Sequence, residues 1–165
     1  MKTSIKRILL IIGVLVVIGG SIAYYMFNMP HRDVQATDAD ASITATALVN
    51  EYLSDYDAAN AKYLDDDGES NVLVVSGTIA DIKEDYQGDL VILLQGTDTK
   101  AGVSCTLLTE EKTDGLTRKI GDEINIKGVI RAGARYDEDL EMYESVILEK
   151  AAIVHPRENN KTNEL

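Results

Sequence analysis

An uncharged apolar run over residues 8–27, from Ile8 to Phe27, constrains this chain more than any other feature. A helix rises about 1.5 Å per residue, so a run of this length crosses a hydrocarbon core of about 30 Å. Lys2, Lys6 and Arg7 precede the run without an acidic residue among them, and Tyr24, Tyr25 and Phe27 close it. Cations on the cytoplasmic side and aromatic rings at the far interface agree on one orientation. The run predicts a single transmembrane helix in the cytoplasmic membrane, with the N-terminus inside and the rest of the chain periplasmic or extracellular. A cleaved signal peptide is the alternative. Ser21-Ile22-Ala23 has the small-x-small form of a cleavage site, but signal cores span about 7–15 residues and this run continues beyond them. Cys105, the only cysteine, lies far from the N-terminus, which disfavours a lipidated N-terminal cysteine.

Charge narrows the partners. The chain carries a net charge of -12, and removing the cations ahead of the apolar run leaves the remainder more acidic still. A protein that tracks phosphates needs a cationic footprint. Composition therefore disfavours nucleic acid, and equally anionic lipid headgroups. It predicts no binding to single-stranded DNA or RNA tighter than about 100 μM near physiological salt. Trp is absent and Phe27 is the only Phe, so the core must come from Val, Ile, Leu, Ala and Tyr. One cysteine forms no intramolecular disulfide. The two histidines, His31 and His155, lie in the tails, which leaves a histidine-based metal or catalytic site without support, and no cofactor is expected.

The remaining pattern divides the chain into a cytoplasmic N-terminus (1–7), the membrane helix (8–27), a polar linker (28–42), one domain (43–154) and a disordered tail (155–165). Thr44 is a plausible N-cap for a helix reaching about Leu64. Leu48, Tyr52, Tyr56, Ala59 and Tyr63 recur at spacings of three and four and share its packing face. Asp65-Asp66-Asp67-Gly68-Glu69-Ser70 suggests calcium, but placing Gly68 at the glycine position of an EF-hand loop puts Tyr63 at the first ligand position, so a solvated turn is expected.

From Asn71 the period changes to two. Strands are expected from Val72 to Ile82, Leu90 to Leu94, Val103 to Leu108 and Glu123 to Arg131, with a last one within Glu141 to Val154. Thr109 to Lys119 is a polar or helical break, and Ala132 to Leu140 a flexible acidic loop. Gly77 and Gly128 interrupt the first and fourth strands at matching places, where a bend or a close approach is expected. Five strands broken between the third and fourth is the order of an OB barrel. The expected fold is mainly β: a five-stranded OB-fold-like barrel with an N-terminal helix, after a single transmembrane helix. An open five-stranded sheet with a helix is the alternative.

Several segments fit one family pattern. They are Ala58-Ala59-Asn60-Ala61-Lys62-Tyr63-Leu64, Val74-Val75-Ser76-Gly77-Thr78-Ile79, Gly102-Val103-Ser104-Cys105-Thr106 and Gly121-Asp122-Glu123-Ile124-Asn125-Ile126-Lys127-Gly128. Over about residues 43–154 the chain resembles the bacterial tRNA_anti-like OB-fold family, small membrane-anchored or lipoprotein-type domains. Asp65 to Asn71 departs from it as an insertion. The resemblance implies the fold and carries over no catalytic residue.

OB barrels bind across the second and third strands and the adjoining loops. Lys83, Tyr86, Arg131, Arg135 and Tyr136 fall on the expected rim and are the candidate ligand-face residues. Cys105 alternates into the core and is expected to be a small hydrophobe rather than a nucleophile. The expected function is a non-catalytic binding module for a protein, peptide or glycan. Single-stranded nucleic-acid or oligosaccharide binding is the alternative, and an enzyme is the least supported class.

Overall fold

The structure, a computed structural model, describes residues 2–27, 33–65 and 69–155. Two compact units divide between Arg32 and Asp33. The first holds one helix, α1 (Lys2–Phe27). Within it, side chains are described from Ile12 to Tyr25. Among the described residues no helix is long and apolar enough to cross a membrane. The expected span over residues 8–27 therefore lies partly outside them. Leu15, Val16, Val17, Ile18 and Ile22 of this helix are all exposed.

The second unit begins earlier than the expected linker boundary. Val34 is buried in a small cluster with Val72 and Val129. Gln35 Nε2 donates to the Lys150 carbonyl at 2.7 Å, and Lys127 Nζ donates to the carbonyls of Gln35 and Thr37. Asp40 and Val72 exchange two bonds, Asp40 N–H to the Val72 carbonyl and Val72 N–H to Asp40 Oδ2, both 2.8 Å. Residues 33–40 are thus a strap on the barrel. It leads into β1 (Ala41–Thr44), which pairs in parallel with the start of β2 (Val72–Glu84).

Thr44 does cap the helix that follows, its Oγ1 accepting from Ala47 N–H at 3.2 Å. The expected single helix is two, α2 (Ala45–Ser54) and α3 (Tyr56–Tyr63). Asp55 is extended between them (φ -152°, ψ 94°). It closes α2 by donating its N–H to the Glu51 carbonyl and caps α3 with its carboxylate on Ala58 N–H. Asp competes with the helical backbone through such local bonds. Of the acidic turn after α3, Asp66, Asp67 and Gly68 lie outside the described residues.

The barrel contains β2, β3 (Leu90–Leu94), β4 (Val103–Leu107), β5 (Glu123–Ala132) and β8 (Val146–Ile153). Its order is β2-β3-β4-β8-β5, closed by β5 on β2, with β4 and β8 parallel and the other pairs antiparallel. This is the expected OB-like closure. A short 3-10 turn (Thr109–Glu111) and α4 (Lys112–Thr117) fill the break between β4 and β5. The expected acidic loop is instead a hairpin of β6 (Arg135–Asp137) and β7 (Met142–Glu144). With α2, α3 and α4 in the same unit as the sheet, the fold is mixed α/β around a five-stranded barrel rather than mainly β.

Alternation decides the core. Leu73, Val75, Ile79, Leu90, Ile92, Leu94, Val103, Cys105, Leu107, Ile126, Ile130, Val146 and Leu148 face inward and are buried, joined by Leu48, Val49, Tyr52, Ala59 and Tyr63 of the two helices. Both matching glycines are close-approach sites. A Cβ at Gly77 would meet Ala45 Cβ at 3.1 Å and Leu94 Cβ at 3.2 Å, and one at Gly128 would meet the Glu149 carbonyl oxygen at 3.1 Å. The β5–β8 register also shifts between Lys127 and Val129, so Gly128 sits at a bulge.

Candidate functional site

The same alternation that buries Leu90, Ile92 and Leu94 turns Val91 and Leu93 outward. Pairing then lays residues in rows across the outer face. Asp81, Leu93, Ser104, Ile147 and Ala132 are successive cross-strand partners, and Lys83, Val91 and Thr106 form a second row. This is the β3–β4 face, the second and third strands of the barrel.

The hairpin borders that face. Arg135 pairs with Glu144, Tyr136 with Tyr143 and Asp137 with Met142. The tip is pinned by Asp137 Oδ1, which accepts from Asp139 N–H and Leu140 N–H at 2.9 and 3.0 Å, while Glu141 takes a left-handed φ of 51°. At the base, Ser145 Oγ accepts from Gly102 N–H at 3.2 Å, and Val146 N–H donates to the Gly102 carbonyl at 3.0 Å.

A cleft of about 540 Å³ lies between the hairpin and the strand face. Leu93, Met142 and Ile147 make it apolar, Ser104 gives it a hydroxyl, and Lys83 and Arg135 supply the cations. A second cleft, of about 510 Å³, lies between the hairpin, the loop before β4, and α2 and α3. Tyr52, Tyr56, Tyr136 and Tyr143 line it together with Asp98, Lys100 and Arg135. Arg135 and Tyr143 belong to both clefts.

The aromatic and charged groups there are ordered by one another. The Tyr136 and Tyr143 rings lie 4.9 Å apart and tilted by 55°. Lys100 Nζ is 3.1 Å from Tyr143 Oη and 5.1 Å from its ring centre. Arg135 donates to Glu144, and that carboxylate pushes the guanidinium further up from its ordinary value. Burial pushes the Tyr52 phenol up to about 12.

Of the five residues expected from sequence, Lys83 and Arg135 share the first cleft, and Arg135 and Tyr136 the second. Arg131 lies in neither and pairs with Glu149 at 3.2 Å. Tyr86 stands fully exposed on the tight turn closed by Asp85 and Asp89, apart from both clefts. Lys100, Met142 and Tyr143 were not expected. Pairing across the hairpin would have pointed to Tyr143, but only two short strands three residues long carry that signal.

Cys105 is fully buried and its thiol is pushed far up by burial, in keeping with a core hydrophobe. Among the described residues no cluster of three or more His, Cys, Asp or Glu side chains is arranged to hold a metal ion.

A family model described as tRNA_anti-like matches residues 1–138. The chain belongs to the tRNA_anti-like family. The match includes the apolar N-terminal segment, ahead of the boundary near residue 43 drawn from the motifs, and stops in the hairpin turn. Among solved structures, a "putative nucleic acid-binding lipoprotein" from Klebsiella pneumoniae is similar to this tRNA_anti-like chain. It is 16% identical, the alignment covers 77% of this chain and 100% of that one, and the TM-score is 0.51. A chain of the S. pombe Stn1-ten1 complex is 13% identical over 52% of this chain and 59% of that one, with a TM-score of 0.34. No curated protein matches the chain.

Proposed function

We propose that this tRNA_anti-like protein is a non-catalytic binding module whose β3–β4 face takes a short stretch of single-stranded nucleic acid. The observation that carries this reading is the hairpin, which sets Tyr143, in ring contact with Tyr136 behind it, and the Arg135 guanidinium beside the open strand face. Bases stack on aromatic rings whatever their identity, and a few cations hold the backbone. The similarity to the Klebsiella protein, named as nucleic acid-binding, supports the same ligand class.

The reading reverses the preference drawn from bulk charge, for a local reason. Net charge averages over the whole surface, whereas the first cleft is bounded by Lys83, Arg135 and Glu144 and is not itself acidic. The contribution of phosphate contacts is nevertheless small. Arg135 is already paired, and Asp137, Glu138, Asp139 and Glu141 crowd the hairpin turn. Binding is therefore weak, about 10–100 μM at low salt, and shallow in its salt dependence, with a slope set by about two phosphates.

A second reading, a protein or peptide partner of opposite charge, is favoured by that same acidic turn. The two are separated by Glu138→Gln, Asp139→Asn and Glu141→Gln together. Titration of the full chain in detergent with a labelled single strand of about 12 nucleotides and with an oligolysine peptide gives opposite signs. Removing the acids strengthens the nucleic acid and weakens the peptide. Binding of the peptide alone would replace the first reading with the second.

The exposed apolar side chains of α1 support a membrane tether, with the cations at the N-terminus on the cytoplasmic side. Protease added to intact spheroplasts should remove the barrel; full protection would reject that orientation.

A further inference from the structure

We propose that the second cleft, between the hairpin and α2–α3, is a pocket for one nucleotide, with its base against the tyrosines and its phosphate at Lys100. The proposal rests on the reading of the barrel face as a single-strand site, for which this pocket takes the terminal residue.

The two clefts differ in kind. The strand face offers aliphatic groups and one tyrosine, whereas the second cleft is walled by Tyr56, Tyr136 and Tyr143 over a floor that includes Tyr52. At about 510 Å³ it is of the size that encloses a small organic ligand. Tyrosine-walled pockets also suit quaternary ammonium groups. Here Lys100 already stands over the Tyr143 ring, 5.1 Å from its centre, where such a ligand's cation would go; with Arg135 held by Glu144, Lys100 is the charge offered to a negative group. The Lys100 ammonium is already placed, through its hydrogen bond to Tyr143 Oη, at the edge of the ring on which a base would stack.

The Tyr52 hydroxyl is buried and has no hydrogen-bond partner among the described residues. Buried hydroxyls are normally satisfied, so this one is a donor and acceptor that the fold itself does not use.

Calorimetric titration of the full chain in detergent tests the pocket with three probes: thymidine 5′-monophosphate, thymidine, and the single strand used above. The monophosphate is expected to bind about tenfold more tightly than thymidine, a charge-assisted contact's worth. Lys100→Ala should remove that preference. Lys83→Ala, which touches only the first cleft, should weaken the single strand and leave the monophosphate unchanged. Single-strand binding without any monophosphate binding overturns the pocket and leaves the barrel-face reading standing. Monophosphate binding that survives Lys100→Ala also overturns it. Monophosphate binding that depends on Lys100 with no single-strand binding supports the pocket and overturns the barrel-face reading.

Discussion

A side chain at position 133 would have to occupy space held by the aromatic ring of Tyr52. Gly133 ends the run from β5 into the hairpin, and Tyr52 lies at 1% exposure in α2. The chain entering the hairpin therefore packs directly on the Tyr52 ring. Gly133→Ala is expected to destabilise the protein by about 1–3 kcal/mol through overpacking and to weaken single-strand binding, because the displaced hairpin carries both shared residues. Thermal unfolding and titration of one preparation check the two together. An unchanged midpoint would show that the ring moves aside freely.

Tyr52→Phe removes the unpartnered hydroxyl without changing the ring. A buried polar atom without a partner costs about 1–3 kcal/mol, so stability is expected to stay level or rise. A marked loss in chemical denaturation would reveal a partner for that hydroxyl.

The strap is held by Lys127, whose ammonium takes two carbonyls of residues 33–40. Lys127→Met keeps the stem and removes the donors. The expected cost is about 1.5–3 kcal/mol for hydrogen bonds to a charged group. Faster hydrogen exchange should appear at the Asp40 and Val72 amides, which close the strap's end. Exchange unchanged at those amides would show that Val34 and the Gln35 and Asp40 bonds hold the strap without Lys127.

Acid stability has a definite sign. The hydrogen bond from Lys62 holds the Glu51 carboxyl below its ordinary value, and that from Arg118 does the same for Asp114. A carboxyl lowered in the folded state stabilises above its unfolded value, and that contribution is lost as pH falls through the folded value. Stability should be flat from about pH 5 to 8 and fall below about pH 4. Both pairs are partly exposed, so each contribution is small and screened by salt. Glu51→Gln should flatten the acid limb; an unchanged limb would mean that the Lys62 pair contributes nothing.

Cys105 supplies a clean probe of opening. Burial raises its thiol far above neutrality, so a thiol reagent at about pH 8 is expected to react only through unfolding. Rapid labelling of the native protein would contradict the closed barrel.

Strand and core positions were legible because inward residues recur every second position: Leu90, Ile92 and Leu94, or Val103, Cys105 and Leu107, declare their face without help. The barrel followed from strand order together with Gly77 and Gly128. The strap was not legible, since one buried Val34 among polar residues has no period. The helix break was hidden because Leu48, Tyr52, Ala59 and Tyr63 keep helical spacing across Asp55, whose carboxylate serves as a cap only in three dimensions. The site was half legible. Arg135 and Tyr136 stood out as charge and ring, whereas Lys100 and Tyr143 become neighbours only after the loop before β4 meets β7, 43 residues along the chain.

The most direct test of single-strand recognition is fluorescence anisotropy of the full chain in detergent with a labelled single strand of about 12 nucleotides. It compares the native protein with Tyr136→Ala/Tyr143→Ala at about 50 and 200 mM salt. The expected result is a dissociation constant of about 10–100 μM at the lower salt, modest weakening at the higher, and a loss of about fivefold or more in the double variant. No binding at millimolar protein, or binding indifferent to both tyrosines, would contradict it.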